Sequence, residues 1–374
     1  MNGNIRVGNL FGIPFYVNPS WFLVLGLVTL SYGSELASAF PYLGGIIPWI
    51  LGLIAALLLF ASVLAHELGH SFVALSQGIG VKSITLFLFG GLAMLDKEAE
   101  KPGGALSVAI AGPAVSVLLF AVLSVLGAFV ALPAPIAAIV SLLASINLVL
   151  ALFNLIPGLP LDGGNILKAI VWKITDNPNK GLLLASRVGQ FFGWLAVIVG
   201  ILSVLGISPI GSFWTLLIGW FLLQNAGLSA QSAVVQEKLS GFTAEDAVVP
   251  NSPIVASDLT LREFANNYVI GNDRWTKFLA TDNQGKLLGT IAVADLKSVF
   301  TSAWTQTLVV ELVKPLSDNT TIRPEQSLLE VVKLLEQKGV NQLPVVRDNG
   351  VVVGLLEKAS ILDLLQQEAQ AKTA

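Results

Sequence analysis

The sequence predicts a polytopic α-helical membrane domain of about six transmembrane helices, followed by a soluble α/β region. Hydrophobic residues make up 54% of the 374 residues and charged residues only 12%, a composition typical of membrane proteins. The charges are unevenly distributed, because residues 14 to about 230 contain few of them and the remainder contains most. The chain therefore divides into a membrane domain over residues 1–230 and a charged C-terminal region.

Apolar runs long enough to cross, or nearly cross, a bilayer define the membrane elements, since a spanning helix needs about 20 residues. The runs lie near residues 15–32, 46–75, 105–131, 136–157, 188–206 and 212–228. The first 15 residues contain one arginine and no cleavage site of the signal-peptide type, so the first run is expected to remain as a helix. Six crossings place both chain ends on the same side.

The basic residues before position 230 fall in alternate connecting segments, and the intervening loops contain none. They are Arg6, Lys82, Lys97, Lys101, Lys168, Lys173, Lys180 and Arg187. Because Lys and Arg are enriched in cytoplasmic loops, both termini and the soluble region are predicted to be cytoplasmic. We expect a multi-pass protein of the cell inner (plasma) membrane.

Composition also excludes several kinds of site and partner. The net charge of −3 and the lack of a basic aromatic patch argue against a nucleic-acid partner. The chain contains no cysteine, which excludes disulfides and thiolate metal sites. Any bound metal must therefore take nitrogen and oxygen ligands.

The two histidines of the chain, His66 and His70, lie four residues apart within an apolar run. On a helix they share a face, so both imidazoles can reach one zinc ion, with Glu67 beside them as a base for the bound water. Ionisable residues within a membrane span are costly, which favours a functional role. The alternative is two histidines satisfied by packing, but that would not require Glu67 at a fixed spacing.

A tetrahedral zinc site with two histidines needs a third protein ligand and leaves one position for water. Asp162 is the best candidate, because it follows Pro157 and Pro160 and precedes a pair of glycines. A helix broken twice at membrane depth is tolerated only beside protein or a cavity. The alternative is that Asp162 only caps a helix that starts at Gly163.

The segment from Val81 to Glu100 is too short and too rich in glycine to cross the membrane, and it is predicted to be extended. Its edge could pair with an unwound peptide. A plain cytoplasmic β-hairpin is an equally good interpretation.

From about Glu237 onward, short strands alternate with amphipathic helices, and the pattern repeats. Residues 282–289 and 347–354 each form a turn and a strand that ends in glycine, and they lie 65 positions apart. The arrangement resembles a tandem pair of CBS domains, over residues 239–301 and 309–366. We expect the soluble region to be a cytoplasmic α/β CBS pair.

CBS domains often bind adenine nucleotides through a hydroxyl and an Asp that follow the strand-ending glycine. After Gly289 the two positions are Ala292 and Asp295, and after Gly354 they are Glu357 and Ser360, a pattern that only partly matches. The resemblance therefore implies at most one weakly bound nucleotide, at Asp295. The pair is expected to act mainly in homodimerisation or as a gate.

The HELGH motif at 66–70 and the NLIPGLPLDGG motif at 154–164 together resemble the site-2 protease family of intramembrane zinc metalloproteases. Residues 89–93 (Phe89-Gly90-Gly91-Leu92-Ala93) and 111–113 (Ala111-Gly112-Pro113) resemble further family elements, and the likeness is strong over about 46–175. It implies one zinc ion per chain, and its site residues are His66, His70 and Asp162 as ligands, Glu67 as catalytic base and acid, and Asn154 as a polar group in the active site.

The resemblance also implies a function in the lipid bilayer. The substrates would be transmembrane segments of single-pass or membrane-tethered regulatory proteins, with the CBS pair as a modulator. Two alternatives come from other classes of protein. A CBS-regulated transporter or channel would also place histidines in the membrane, but no inverted repeat is visible. A non-catalytic metal-binding scaffold would need the histidines and not Glu67.

Overall fold

The computed structural model describes residues 3–88, 90–271, 274–316 and 321–371, so Phe89 of the motif at 89–93 lies outside the described residues. The chain separates into two compact units, residues 1–234 and 235–374. Each unit is described by itself.

The first unit is built from long apolar helices. Its helices are α1 (Ser20–Ala39), α2 (Ile47–Ser76), α3 (Pro102–Phe129), α4 (Ala134–Asn154), the amphipathic α5 (Asp162–Thr175), α6 (Pro178–Val204) and α7 (Phe213–Ser240), the last of which continues into the second unit after residue 234. Among the described residues, all of these except α5 are long and apolar enough to cross a membrane, which makes six spans. Large apolar side chains such as Phe22, Leu118 and Trp194 are exposed on their surfaces, as lipid contact requires. The predicted polytopic membrane protein is confirmed.

The first span differs from its predicted position. It was predicted near 15–32, but α1 begins at Ser20 and ends at Ala39. The apolar residues Ile13–Val17 form a strand, β2, which pairs with β1 (Ile5–Leu10) in a hairpin. A short apolar run fits a buried strand as well as a helix, and here the pairing partner lies far along the chain.

That partner is β3 (Val81–Phe87), which pairs with β2 in parallel and with β4 (Gly90–Leu95) in antiparallel orientation. The sheet has the order β1-β2-β3-β4, so β4 is its last strand. The segment from Val81 is therefore extended, as predicted. Since β4 packs against α2, one edge strand of the sheet lies beside the helix that carries the histidines.

The segment between α4 and α5, residues 155–161, is not helical and is held against α6 through small residues. The backbone N–H of Leu159 donates to the carbonyl of Ala185 at 3.1 Å. A Cβ atom added at Gly158 would lie 2.6 Å from the Cα of Gly189. The two backbones approach this closely because neither glycine carries a side chain, and the contact fixes the chain just before Asp162.

The second unit contains two similar halves. The first has β5 (Ile254–Ala256), the short helix α8 (Leu261–Phe264), β6 (Lys277–Thr281) and β7 (Leu287–Ala292); the second has α9 (Leu328–Lys338), β8 (Gln342–Val346), β9 (Val352–Glu357) and α10 (Lys358–Ala371). The predicted repeats meet at their turns, where Leu287 N–H donates to Gly350 O at 3.0 Å and Val352 N–H donates to Gly285 O at 3.0 Å. An α/β unit with an internal repeat is therefore present at the C-terminal end, as predicted.

Each of the two hydrophobic cores of this unit contains residues that the predicted limits assign to the other domain. Val309 is fully buried in the core of the first half, although the sequence prediction starts the second domain at that residue. Leu239, Ala244 and Ala247 are buried in the core of the second half, although the sequence prediction assigns them to the first domain. The domain limits 239–301 and 309–366 stay a prediction, since residues near these limits pack into the core of the other half.

Candidate metal centre

Three side chains from two distant parts of the chain converge on one point. Nε2 of His66 lies 3.0 Å from Oδ2 of Asp162, and Nε2 of His70 lies 3.3 Å from Oδ1 of the same carboxylate. The two Nε2 atoms are 3.3 Å apart. Among the residues that the structure describes, His66, His70 and Asp162 form one group of possible metal ligands, and their ligand atoms all lie within 4.8 Å of one another.

The outer nitrogens of both imidazoles are held by α3. Nδ1 of His70 donates to the carbonyl of Val108 at 2.7 Å, and Nδ1 of His66 lies 2.9 Å from the hydroxyl of the fully buried Ser116. A carbonyl can only accept, so Nδ1 of His70 carries a proton, and in the neutral imidazole the lone pair is then on Nε2. Contacts of this kind orient metal-binding histidines and fix their tautomer.

The donor set fits a zinc ion. When both imidazoles are protonated on Nδ1, two Nε2 lone pairs and a carboxylate face one another across about 3 Å, an arrangement that a cation between them stabilises. Two imidazoles and one carboxylate are a ligand set that zinc takes in catalytic sites, where a fourth position stays open. The residues present can therefore hold one zinc ion.

Asp162 is the first residue of α5, and its carboxylate turns towards the histidines instead of the helix backbone. The N-cap is Leu161, and no side chain caps this helix end. The geometry therefore offers no support for the alternative in which Asp162 serves as a helix cap.

Glu67 lies beside the cluster and against β4. A Cβ atom added at Gly91 would overlap the Glu67 side chain, and the backbone N–H of Ala93 lies within hydrogen-bonding reach of the carboxylate. Since any residue larger than glycine would displace Glu67, Gly91 determines where the carboxylate can sit. Glu67 is thereby held between the histidines and the backbone of an edge strand.

The cluster opens into a cavity of about 350 Å³, lined by α2, β4, α3 and α5 and by Leu150 and Asn154 at the end of α4. A second, apolar cavity of about 550 Å³ lies among α1, α4 and α7 and shares Leu150 and Asn154 with the first. Asn154 is half-buried and lines both cavities. The arrangement can position water and a peptide next to Glu67.

Sequence reasoning did not find the contacts on α3 or the rest of the cavity wall on α5. Ser116 is one of three serines in the apolar helix α3, so its hydroxyl was an available but unspecific signal. Val108 acts through its backbone, for which no sequence signal exists. Asn165 and Lys168 follow Asp162 at helical spacing and line the same cavity, so an amphipathic reading of α5 would have found them.

The predicted nucleotide position, Asp295, already has two partners. Its Oδ1 accepts from the Lys314 ammonium at 2.5 Å, and its Oδ2 accepts from the backbone N–H of Ala292 at 2.9 Å. The bond from Lys314, together with that from Ala292, holds the pKa of the Asp295 carboxyl below its usual value. Ser360 donates to the carbonyl of Ala247 at 2.6 Å. A nucleotide would have to compete with these bonds.

Comparison with known proteins gives a consistent result. Residues 54–136 and 130–196 match the sequence model of peptidase family M50, and residues 310–367 match that of the CBS domain. A protein of Synechocystis sp. named "Putative zinc metalloprotease sll0528" is 64% identical over 99% of this chain and 97% of its own length. The "Putative zinc metalloprotease Rip3" of Mycobacterium tuberculosis is 31% identical over 98% and 93% of the two chains.

Among solved structures, the site-2 protease from Methanocaldococcus jannaschii is 31% identical, covering 61% of this chain and 95% of its own, with a TM-score of 0.44.

Proposed function

This chain belongs to peptidase family M50 and is a zinc metalloprotease, and we propose that it cleaves the transmembrane segments of single-pass or membrane-tethered regulatory proteins. One observation carries the proposal. His66, Glu67 and His70 lie within the apolar span Ile47–Ser76, and they face a cavity bounded by an edge strand. A peptide bond must enter the membrane-spanning part of the protein to reach them.

In this proposal His66, His70 and Asp162 hold one zinc ion, which when bound supplies a Lewis acid for the peptide carbonyl and the attacking water. Glu67 accepts a proton from that water and then donates a proton to the leaving amine. The backbone of β4 at Gly91 and Ala93 holds the Glu67 carboxylate in place for both steps. Asn154 on the cavity wall binds the substrate backbone or the developing oxyanion.

The substrate is proposed to pair with β4 as an extended strand. In the described part of the chain, β4 pairs only with β3, and its other edge borders the cavity. An unwound peptide that adds to this edge recovers the backbone hydrogen bonds that it loses on leaving its helix. Substrates should therefore contain helix-weakening residues near the cut, since these lower the cost of unwinding.

The apolar cavity among α1, α4 and α7 is the proposed entry route from the bilayer. It is lined by Val24 and Leu27 of α1 and by Trp214 and Ile218 of α7. These apolar walls suit the apolar side chains of a transmembrane substrate. Because it shares Asn154 with the metal-site cavity, a substrate that enters between these helices meets Asn154 before Glu67.

The protein is proposed to lie in the cell inner (plasma) membrane with both termini and the CBS pair in the cytoplasm. The support is the distribution of basic residues in alternate loops. The CBS pair is proposed to modulate cleavage as a gate or through homodimerisation, with at most one weakly bound adenine nucleotide at Asp295. Calorimetry of the full-length protein with AMP, ADP and ATP tests this, and two tight sites would contradict it.

The test of the proposed function is reconstitution of the purified protein in liposomes with a single-pass peptide whose transmembrane segment contains Gly or Pro. Mass spectrometry of the products should place the cut within the transmembrane segment. Cleavage only in water-exposed segments, or chelator-insensitive cleavage, would show that the proposal is wrong. A second peptide with Leu in place of the Gly or Pro residues is the matched control and should be cut more slowly.

A further inference from the structure

One face of α5 forms a wall of the metal-site cavity that runs away from the cluster. Asp162, Asn165, Lys168 and Trp172 all line the cavity, at spacings of three or four residues. With a rise of about 1.5 Å per residue, Lys168 lies about 9 Å along the helix axis from Asp162. It is the one Lys or Arg among the lining residues.

The position of Lys168 is fixed by the protein around it. A Cβ atom added at Gly181 of α6 would overlap the Lys168 backbone carbonyl, so the two helices touch at this residue. Only 14% of the Lys168 side chain is exposed, and its ammonium donates to Oε2 of Glu98 at 2.9 Å. The cation is thus held in the cavity wall.

Its partner is far less constrained. Glu98 is 79% exposed and lies in the loop between β4 and α3. An ion pair with a solvent-exposed carboxylate contributes little, because water and salt screen it and ordering the long side chain costs entropy. Another carboxylate that reaches the same half-buried ammonium can therefore replace Glu98 at little cost.

The rest of the cavity makes such a replacement selective. Of the two carboxylates beside the cluster, Asp162 would be neutralised by the metal, and Glu67 disfavours an acidic substrate side chain there. Lys168 is the point of the cavity at which a substrate carboxylate gains a charge-assisted hydrogen bond. An extended peptide advances about 3.3 Å per residue, so about three residues separate this point from the metal cluster.

We propose that Lys168 forms a subsite for an Asp or Glu side chain of the substrate, about three residues from the scissile bond, and that the carboxylate displaces Glu98. The inference rests on the proposed function and makes it more specific. In the predicted topology the residues around Lys168 are cytoplasmic, so the acidic residue lies on the cytoplasmic side of the cut.

The test uses the full-length protein with single-pass peptides that carry Asp, Asn or Lys at each position from one to five residues on the cytoplasmic side of the cut. The wild-type protein should cleave the Asp peptide about tenfold faster than the Asn peptide at one position, the size of effect expected for one hydrogen bond to a charge. Lys168→Gln should remove this preference, so that the Asp and Asn peptides are cleaved at equal rates. Lys168→Glu should favour the Lys peptide.

The loop offers matched controls. Glu98→Gln should keep the preference for Asp, because the ammonium remains and its competitor is gone. Lys97→Gln, in the exposed pair with Glu100 in the same loop, should change nothing. If Lys168→Gln slows all peptides equally, or if wild type shows no preference, the ion pair only ties the loop to α5 and the subsite does not exist.

A binding measurement separates failure of this inference from failure of the proposed function. The Glu67→Gln variant should bind the peptides without cleaving them. This variant and the double variant that also carries Lys168→Gln are each titrated with the Asp and Asn peptides. About tenfold tighter binding of the Asp peptide that is lost in the double variant supports the subsite even if no peptide is cleaved. Equal binding in all four cases overturns the subsite even if cleavage within the membrane is observed.

Discussion

Gly112 of α3 lies directly against Nε2 of His70, so closely that a Cβ atom at this position would overlap the nitrogen. The same Cβ atom would lie 2.6 Å from Nε2 of His66. The absence of a side chain at Gly112 therefore keeps open the space into which both histidine nitrogens point.

Gly112→Ala should lower zinc affinity by at least about tenfold, since the methyl group displaces both imidazoles. Zinc content after dialysis at a series of free zinc concentrations measures this. Gly127→Ala on the same helix is the control, because its Cβ would meet only Val140 at an ordinary 3.7 Å. Normal zinc binding by Gly112→Ala would place the metal elsewhere.

Asp162→Asn should lose zinc. Asn caps helices as well as Asp does, so this substitution keeps any capping role but replaces a charged ligand by a neutral one. Asp176→Asn at the other end of α5, where the left-handed backbone also suits Asn, should keep its zinc. Metal analysis of the two purified variants decides whether Asp162 is a zinc ligand or a helix cap. Full zinc content in Asp162→Asn would show that Asp162 is not a ligand.

Gly91→Ala should retain zinc but reduce cleavage by at least about tenfold, because the new methyl group displaces the Glu67 carboxylate and not the histidines. Gly8→Ala, in the same sheet with open space around its Cα, is the matched control. The measurement is the cleavage rate at equal zinc content. An unchanged rate would mean that contact with β4 does not position Glu67.

A cysteine introduced at Ser212, exposed in the loop between α6 and α7, should react with an impermeant thiol reagent in intact cells, and one at Ser298 should react only after lysis. The prediction follows from the basic residues in alternate loops, and the chain has no cysteine of its own to confuse the labelling. Labelling at Ser298 but not at Ser212 would reverse the topology.

Local patterns in the sequence predicted the spans and the candidate site. The four-residue spacing of His66 and His70 needs only one continuous helix, and helix periodicity is a local property. The interruption before Asp162 was visible because two prolines three residues apart disfavour continuation of a helix. Neither inference required knowledge of how distant segments pack.

What the sequence did not predict depends on contacts between distant segments. The strand at Ile13–Val17 forms because β3, some 70 residues later, pairs with it in parallel, and an apolar run of five residues does not reveal that partner. The contact of His70 with the Val108 carbonyl uses a backbone atom, which every residue type has. Val309 enters the core of the first CBS half because of tertiary packing that overrides the sequence repeat.

The most direct test of the central claim compares Glu67→Gln with wild type for zinc content and for cleavage of a transmembrane peptide, in the same preparations. The amide has nearly the shape of the carboxylate but cannot accept the proton, so the variant should hold one zinc ion per chain and lose at least about 100-fold in rate. Cleavage at the wild-type rate by the zinc-loaded variant would contradict the assignment of Glu67 as the base and, with it, this account of the site.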